Sequence, residues 1–331
     1  MTAFRQIVRL ASRALAVSAV VTAILSGETR AAWPERPITI IVPFPAGGAT
    51  DLLGRLLAAE LTFKLGANVT VENRVGEVGS VGLRAAAMAA GNGYTLLVTT
   101  NAALINIAIN PRLTETSYNT PKDFSPIAYL GAAPNIIVTR PSSGIASIAD
   151  LIAKARADPG KLTYATPGIG SSSEMAVALL KLRTGIHMRS VTFNGSEPSL
   201  MAVVSSANIA SIGIGGLIGH IRSGEIKGLV QTGAERWFDL PDVPTMAEAG
   251  IPDLVVETSQ MFAAPRGTPE PIIYSLTKAT QEILQRPSIK AKMLKAGFLV
   301  QYEGPDELHA RVSREIAMWK AVVESAGMKK Q

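Results

Sequence analysis

From Ile38 onward the chain alternates short β-branched runs with longer segments whose apolar residues recur at helical spacing, and it does so twice, with a restart near its middle. That alternation restricts the fold to the α/β class, a mostly parallel sheet covered by helices. In the first series Ile38–Val42 reads as a buried strand. Thr50–Thr62 reads as a helix carrying Leu52, Leu53, Leu56, Leu57 and Leu61, and Val69–Val71 as a second strand. A helix over Ser80–Ala90 and a strand over Tyr94–Val98 follow. After a long stretch with no regular period comes a strand over Asn135–Val138. The second series predicts helix Ile148–Ala157, strand Leu162–Ala165, helix Glu174–Arg183, strand Ser190–Phe193, helix Leu200–Ser205 and strand Ile209–Ile214.

Three further helices are predicted over Pro271–Leu284, Ser288–Ala296 and Pro305–Ser325, the last two closed by Gly297 and Gly327. The final helix carries Leu308, Val312, Ile316, Trp319 and Val323 as a packing stripe. A chain of 331 residues exceeds what one hydrophobic core organises. With a restart in the middle and a helical return at the end, two connections between domains are expected, near 138–141 and 257–262. This places domain 1 at 32–137 plus 258–331 and domain 2 at 138–257. Two crossings can act as a hinge.

The N-terminus carries Arg5, Arg9 and Arg13, then an apolar run from Ala14 to Leu25, then Thr29-Arg30-Ala31, with small residues suited to a cut after Ala31. Residues 1–31 therefore read as a cleaved secretory signal; the apolar run is too short to span a bilayer. Without them 28 Lys/Arg face 25 Asp/Glu, which gives no basic surface for nucleic acid. With no cysteine in the chain, disulfides, iron–sulfur clusters and thiolate zinc sites are excluded. His187, His220 and His309 show no close metal-ligand spacing, so neither metal nor cofactor is expected.

Two glycine-rich stretches lie between a strand and a helix. The first, Pro43-Phe44-Pro45-Ala46-Gly47-Gly48-Ala49-Thr50-Asp51, lacks the lysine of a P-loop and the third spaced glycine of a dinucleotide fingerprint. The second, Thr166-Pro167-Gly168-Ile169-Gly170-Ser171-Ser172-Ser173-Glu174, fails the same tests. Glycines let a ligand approach the backbone, and a helix N-terminus presents unpaired N–H groups carrying partial positive charge, so anionic oxygens are stabilised at such places. In open α/β sheets ligands bind beyond the carboxyl ends of strands, so two hinged sheets would close both loops on one solute.

The candidate ligand residues are Phe44, Ala46, Gly47, Gly48, Thr166, Gly168, Gly170, Ser171 and Ser172, with Asn101 and Asn194 at two further polar strand ends. Each stretch also has a purely structural reading: a turn with Thr50 as N-cap in the first, a capping box Ser171-x-x-Glu174 in the second. Were Glu174 to point into the cleft, it would disfavour a polyanion. For catalysis the sequence offers no G-x-S-x-G elbow and no histidine near Ser171–Ser173. No catalytic residue is assigned, and the chain is not expected to be an enzyme.

Trp33-Pro34-Glu35-Arg36-Pro37-Ile38, Ile41–Gly48 with Thr50-Asp51 and Arg55, Val71-Glu72-Asn73-Arg74-x-Gly76 and Gly93–Leu97 resemble the Bug-type (TctC-like) periplasmic substrate-binding receptors of tripartite tricarboxylate transporters. The same order continues through Asp123–Pro126, Pro159-Gly160-Lys161-Leu162-x-Tyr164, Gly168-x-Gly170-Ser171, Leu240–Thr245 with Glu248–Gly250, and Ala264-Pro265-x-Gly267-Thr268-Pro269. The resemblance implies a type II periplasmic-binding-protein (Venus flytrap) fold of two α/β domains, located in the periplasm. It implies a small carboxylate held in the cleft and delivered to integral-membrane permease subunits by a monomer. The family's two ligand loops correspond to Phe44–Gly48 and Thr166–Ser173. The chain departs at Glu174, where the family often carries histidine. It departs again at Ser205-Ser206-Ala207-Asn208, where a Gly-Gly-Gln type turn is usual, and at Ile209–Gly216, which lacks acidic residues. These changes bear on which carboxylate is bound, not on the fold. Two other readings of an exported α/β chain are a solute sensor signalling to a membrane kinase and an α/β hydrolase.

Overall fold

A computed structural model describes residues 33–110 and 120–328. Met1–Glu35 separates as a unit of its own, so the fold is that of Arg36–Gln331. The export signal predicted for residues 1–31 lies outside the described residues.

The first series forms β1 (Ile38–Val42), α1 (Ala49–Leu65), β2 (Val69–Asn73), α2 (Ser80–Ala87) and β3 (Thr95–Thr100). β1 pairs in parallel with both β2 and β3. α1 ends where Gly66 turns left-handed and its N–H reaches the Thr62 carbonyl, closing the last turn. Two elements that periodicity did not reveal come next: α3 (Ala102–Ile109), whose residues are all buried, and a short α4 (Thr120–Asp123).

β4 (Phe124–Thr139) then runs as a single sixteen-residue strand, so the stretch read as irregular before Asn135 is strand. Pro126, Gly131 and Pro134 hid it, since proline and glycine normally argue against a strand interior. It tolerates them at irregularities, with its register shifting between Pro126 and Ala128 and between Tyr129 and Gly131.

The second series gives α5 (Ile148–Ala157), β5 (Thr163–Thr166), α6 (Ser172–Thr184), β6 (Arg189–Thr192), α7 (Ser196–Ser205), β7 (Ile209–Gly213), α8 (Ile218–Arg222) and β8 (Lys227–Gln231). The return comprises β9 (Glu257–Pro265), α9 (Glu270–Gln285), α10 (Pro287–Lys295), β10 (Leu299–Glu303) and α11 (Pro305–Ser325). The strand order is β2-β1-β3-β9-β4-β7-β5-β6, with β10 and β8 also on β4. β4 joins two lobes: as far as Pro134 it pairs antiparallel with β9, and from Asn135 it pairs with β7 and β8.

The predicted packing stripe of α11 is buried at Leu308, Val312, Trp319 and Val323. One apolar cluster continues from these residues through Leu104, Ile105 and Ile109 of α3 to Met175 and Leu179 of α6. Apolar packing therefore bridges the lobes as well as filling each one.

Candidate functional site

Loop 1 connects β1 to α1. Gly48 is the N-cap of α1 and lends no side chain to capping, so Thr50 is not the N-cap that the sequence suggested. Asp51, one turn inside, takes over: its Oδ2 accepts from the Gly47 N–H at 2.8 Å and from Arg55 Nε at 2.9 Å, and its Oδ1 accepts from Asn73 Nδ2 at 2.8 Å. Asn73 Nδ2 also donates to the Phe44 carbonyl at 2.9 Å, and Arg55 Nη2 donates to Asn73 Oδ1 at 3.1 Å. Burial of Asp51 pushes its carboxyl up. The bonds from Arg55, Gly47 and Asn73 outweigh this and hold it below the usual carboxylate range.

Gly47 has φ +81°, a conformation glycine adopts without strain, and this turns its N–H inward onto Asp51. Pro45, Ala46, Gly47 and Gly48 stay exposed and Phe44 half-buried. The N–H groups of Ala49, Thr50 and Asp51 have no intrahelical acceptor, because the first turn of a helix has none to give them.

Loop 2 connects β5 to α6. Ser171 is the N-cap: its Oγ accepts from the Glu174 N–H at 3.1 Å and donates to the Gly168 carbonyl at 2.8 Å. Only half of the predicted capping box forms, because the Ser171 N–H goes to the Gly168 carbonyl and the Glu174 carboxyl turns to Tyr164, whose hydroxyl donates to Oε1 at 2.7 Å. Glu174 is buried and its Oε2 has no partner. Burial pushes its carboxyl up, and the hydrogen bond from Tyr164 offsets this only in part.

The neighbouring serines face the strands that join the lobes. Ser173 Oγ donates to Asn135 Oδ1 at 2.9 Å, and Thr258 Oγ1 donates to the same oxygen at 3.3 Å. Ser172 Oγ and Thr258 Oγ1 share a hydrogen bond at 2.7 Å in which either hydroxyl can donate. Asn135 is fully buried, and its Nδ2 donates to the Val256 carbonyl at 3.1 Å. The Ser171 and Ser173 hydroxyl protons are thus committed within the protein. The main-chain N–H groups of Ser172 and Ser173 lack intrahelical acceptors.

The remaining candidates divide. Thr166 is buried at the end of β5, and its Oγ1 accepts from the Gly168 N–H at 3.3 Å. Asn101 is buried as the N-cap residue of α3; its Nδ2 donates to the Glu257 carbonyl at 2.9 Å while its Oδ1 stays unpartnered. Asn101 is therefore bound to a crossing strand and offers a ligand only an acceptor. Asn194 is exposed, and the next residue, Gly195, sits against Pro45 of loop 1, whose Cγ lies 4.0 Å from where a Cβ on Gly195 would be.

Gly168 and Gly170 face the first lobe rather than open space. Positions built for their missing β-carbons fall 2.6 Å from Val78 Cγ2 and 2.0 Å from Asn106 Oδ1. Sequence reading passed over Val78, Asn106, Asn135 and Thr258. The only signal for Asn135 is a polar residue opening a β-branched run that ends buried. Gln260, also passed over, is buried in β9 and donates from Nε2 to Thr50 Oγ1 at 3.2 Å, tying the start of α1 to a crossing strand.

The site is thus two helix N-termini on opposite lobes, each fronted by glycines and neither carrying a basic side chain in its loop. Nearby cations are already paired: Arg55 with Asp51, and Arg74 with Glu72 at 2.7 Å. Such an arrangement suits a small anion recognised by main-chain donors. Among the described residues no helix is long and apolar enough to cross a membrane.

Comparison with known proteins points the same way. The chain is 34% identical over 298 residues to "Protein BugT" of Bordetella pertussis, covering 90% of this chain and 91% of that one. A solved structure of a protein of R. palustris with adipate superposes with a TM-score of 0.83 at 32% identity, covering 89% of this chain and 99% of that one. MatC of Rhodopseudomonas palustris with bound malate gives 0.81 at 32%, covering 88% and 100%. The periplasmic binding protein BugD gives 0.83 at 28%, covering 90% and 100%. These neighbours share the two-domain periplasmic-binding-protein fold. Residues 53–328 match the model of the tripartite tricarboxylate transporter family receptor, and the chain belongs to that family.

Proposed function

We propose that the protein is an extracytoplasmic receptor that closes its two lobes around a small carboxylate and delivers it to a tripartite tricarboxylate-type permease. In this reading the signal peptide is removed after Ala31 and the mature chain works in the periplasm. Residues 32–137 with 258–331 form one lobe and 138–257 the other. The carboxylate lies between the N-termini of α1 and α6, held by main-chain N–H groups of Ala49, Thr50, Ser172 and Ser173. Phe44, Ala46, Gly47 and Gly48 shape one side of the ligand, and Thr166, Gly168, Gly170 and Ser171 the other.

The observation that carries this reading is the pairing of two glycine-fronted helix starts with no lysine or arginine in either loop. Membership of a receptor family and the adipate and malate of its structural neighbours support it. Energetically it is feasible. Hydrogen bonds to a charged group contribute about 1.5–3 kcal/mol each, helix termini up to about 2 kcal/mol, and micromolar affinity needs about 8 kcal/mol net. Four bonds and two termini give roughly 6–16 kcal/mol gross, and the upper part of that range reaches micromolar affinity when association costs lie near the low end of about 4–15 kcal/mol.

The test is calorimetric titration with a series of dicarboxylates of four to six carbons, including malate and adipate, alongside their dimethyl esters. Micromolar binding of at least one acid and none of its ester is expected. Absence of binding across the acids, or equal binding of an ester, contradicts the proposal.

A further inference from the structure

We propose that Val78 and Asn106 of the first lobe form a latch that seats on the bare α-carbons of Gly168 and Gly170 and sets how much of the receptor is closed. The proposal rests on the receptor reading above and adds to it a pair of positioning residues that need not touch the ligand.

Val78 stands at φ +53°, ψ +40°, and Glu77 before it at φ +48°. A left-handed conformation is a genuine outlier for a β-branched residue, and such strain persists only where the surroundings over-determine it. Two contacts hold it. Asn106 Nδ2 donates to the Val78 carbonyl at 3.2 Å, and the Val78 side chain lies against Gly168 so closely that a β-carbon there would be 2.6 Å from Cγ2.

The other end of the same amide completes the seat. Asn106 Oδ1 would be 2.0 Å from a β-carbon on Gly170, and Ile109 Cδ1 lies 3.5 Å from that position. One strained valine and one bifunctional amide, both from the first lobe, therefore meet two glycines of loop 2. A β-carbon at either glycine would force Val78 or Asn106 out of its seat. Loop 2 also supplies the start of α6, so the seat of the latch and the ligand donors of α6 move as one piece.

The consequence is a uniform effect on affinity. When only the closed form holds ligand, apparent affinity scales with the closed fraction, so weakening the latch weakens every ligand by the same factor. A residue lining the ligand would instead discriminate between acids of different length.

Because the chain has no cysteine, a spin-label pair can be introduced cleanly as Phe63→Cys on α1 and Leu182→Cys on α6, both exposed and on opposite lobes. Inter-label distances are measured in this background with Val78, with Val78→Ala and with Val78→Gly, each without ligand and with malate and adipate. Calorimetry runs in parallel on the unlabelled proteins. Val78→Gly keeps the backbone shape without strain and Val78→Ala keeps the strain, while both lose the γ-methyl contact.

Both variants are expected to shift the distribution toward longer distances and to lower affinity about tenfold. That is the equilibrium equivalent of removing two methyl groups from a contact, and it should be the same for each acid that binds. Melting temperature without ligand should hold for Val78→Gly, which separates latch loss from unfolding. Wild-type protein that closes on ligand while both variants close and bind equally well overturns the latch and leaves the receptor reading standing. Affinity losses that differ widely between the acids also overturn it, by making Val78 a ligand contact. A wild-type protein with no closed population under any of these conditions contradicts both.

Discussion

Asp51→Asn is the most informative single change behind loop 1. The side chain is buried and accepts three hydrogen bonds: from the Gly47 N–H, from Arg55 Nε and from Asn73 Nδ2. Asparagine keeps the shape but must present an NH2 to at least one of these donors. The Asn73 amide cannot flip to relieve this, since its Nδ2 also serves the Phe44 carbonyl and its Oδ1 accepts from Arg55. One charge-assisted bond is lost and a donor is left unpaired, with the rest weakened, which sums to about 2–4 kcal/mol.

The pH dependence has a definite sign. Asp51 titrates below its ordinary 3.8 in the folded state. Its contribution is therefore fully present above that value and is lost as pH falls through the lower folded one. Urea denaturation of wild type and variant at pH 7 should show the full difference, and the difference should shrink as the acid side of 3.8 is entered. Because Asp51 also fixes the Gly47 N–H, affinity for a carboxylate should fall by tenfold or more. A stability difference under 0.5 kcal/mol at pH 7 (on the scale of ordinary surface changes), or one that grows in acid, would refute the role given to Asp51.

Other perturbations have equally definite directions. Glu174→Gln retains an acceptor for the Tyr164 hydroxyl and removes a carboxyl whose titration is raised by burial. The wild-type contribution is lost as pH rises through that raised value, so the variant should melt at higher temperature at pH 8 and gain little at pH 4, by calorimetry. Asn135→Ala removes the acceptor of Ser173 Oγ at the lobe junction, while Thr258 keeps Ser172 and the Val256 carbonyl keeps Thr232, and should cost about 1–3 kcal/mol in urea denaturation. Gly47→Val meets no atom within 4 Å but must hold φ +81°, and should lower carboxylate affinity at least tenfold in titration calorimetry. Arg74→Gln removes an exposed pair with Glu72, so affinity measured the same way should stay within a fewfold.

The parts of the fold that were legible in the sequence are those with a clean period. Helix Ile148–Ala157 and helix Pro305–Ser325 form over the residues the pattern named. What escaped was the joint between the lobes. β4 carries prolines and a glycine along its length, and α3 is buried throughout and apolar at every position but Asn106, so neither shows amphipathic contrast. The two glycine loops were visible because strand, glycine and helix start follow one another in sequence. Their meeting partners were not: Val78 and Asn106 reach Gly168 and Gly170 from distant segments, and nothing local marks a glycine kept bare for a neighbour. Likewise the serines of loop 2 look like ligand donors in the sequence, and only the positions of Asn135 and Thr258 reveal that Ser173 and Ser172 turn their hydroxyls to the strands joining the lobes.

The central claim is that main-chain N–H groups at two helix starts, rather than an arginine clamp, hold the carboxylate. Proton–nitrogen NMR during titration with a carboxylate that binds tests it most directly. A hydrogen bond to a carboxylate moves an amide proton downfield. The account predicts such shifts at Ala49, Thr50, Ser172 and Ser173 together, saturating at one equivalent, with the Arg55 and Arg74 Nε–H signals unmoved. Large shifts at either arginine with the four amides unchanged would contradict it.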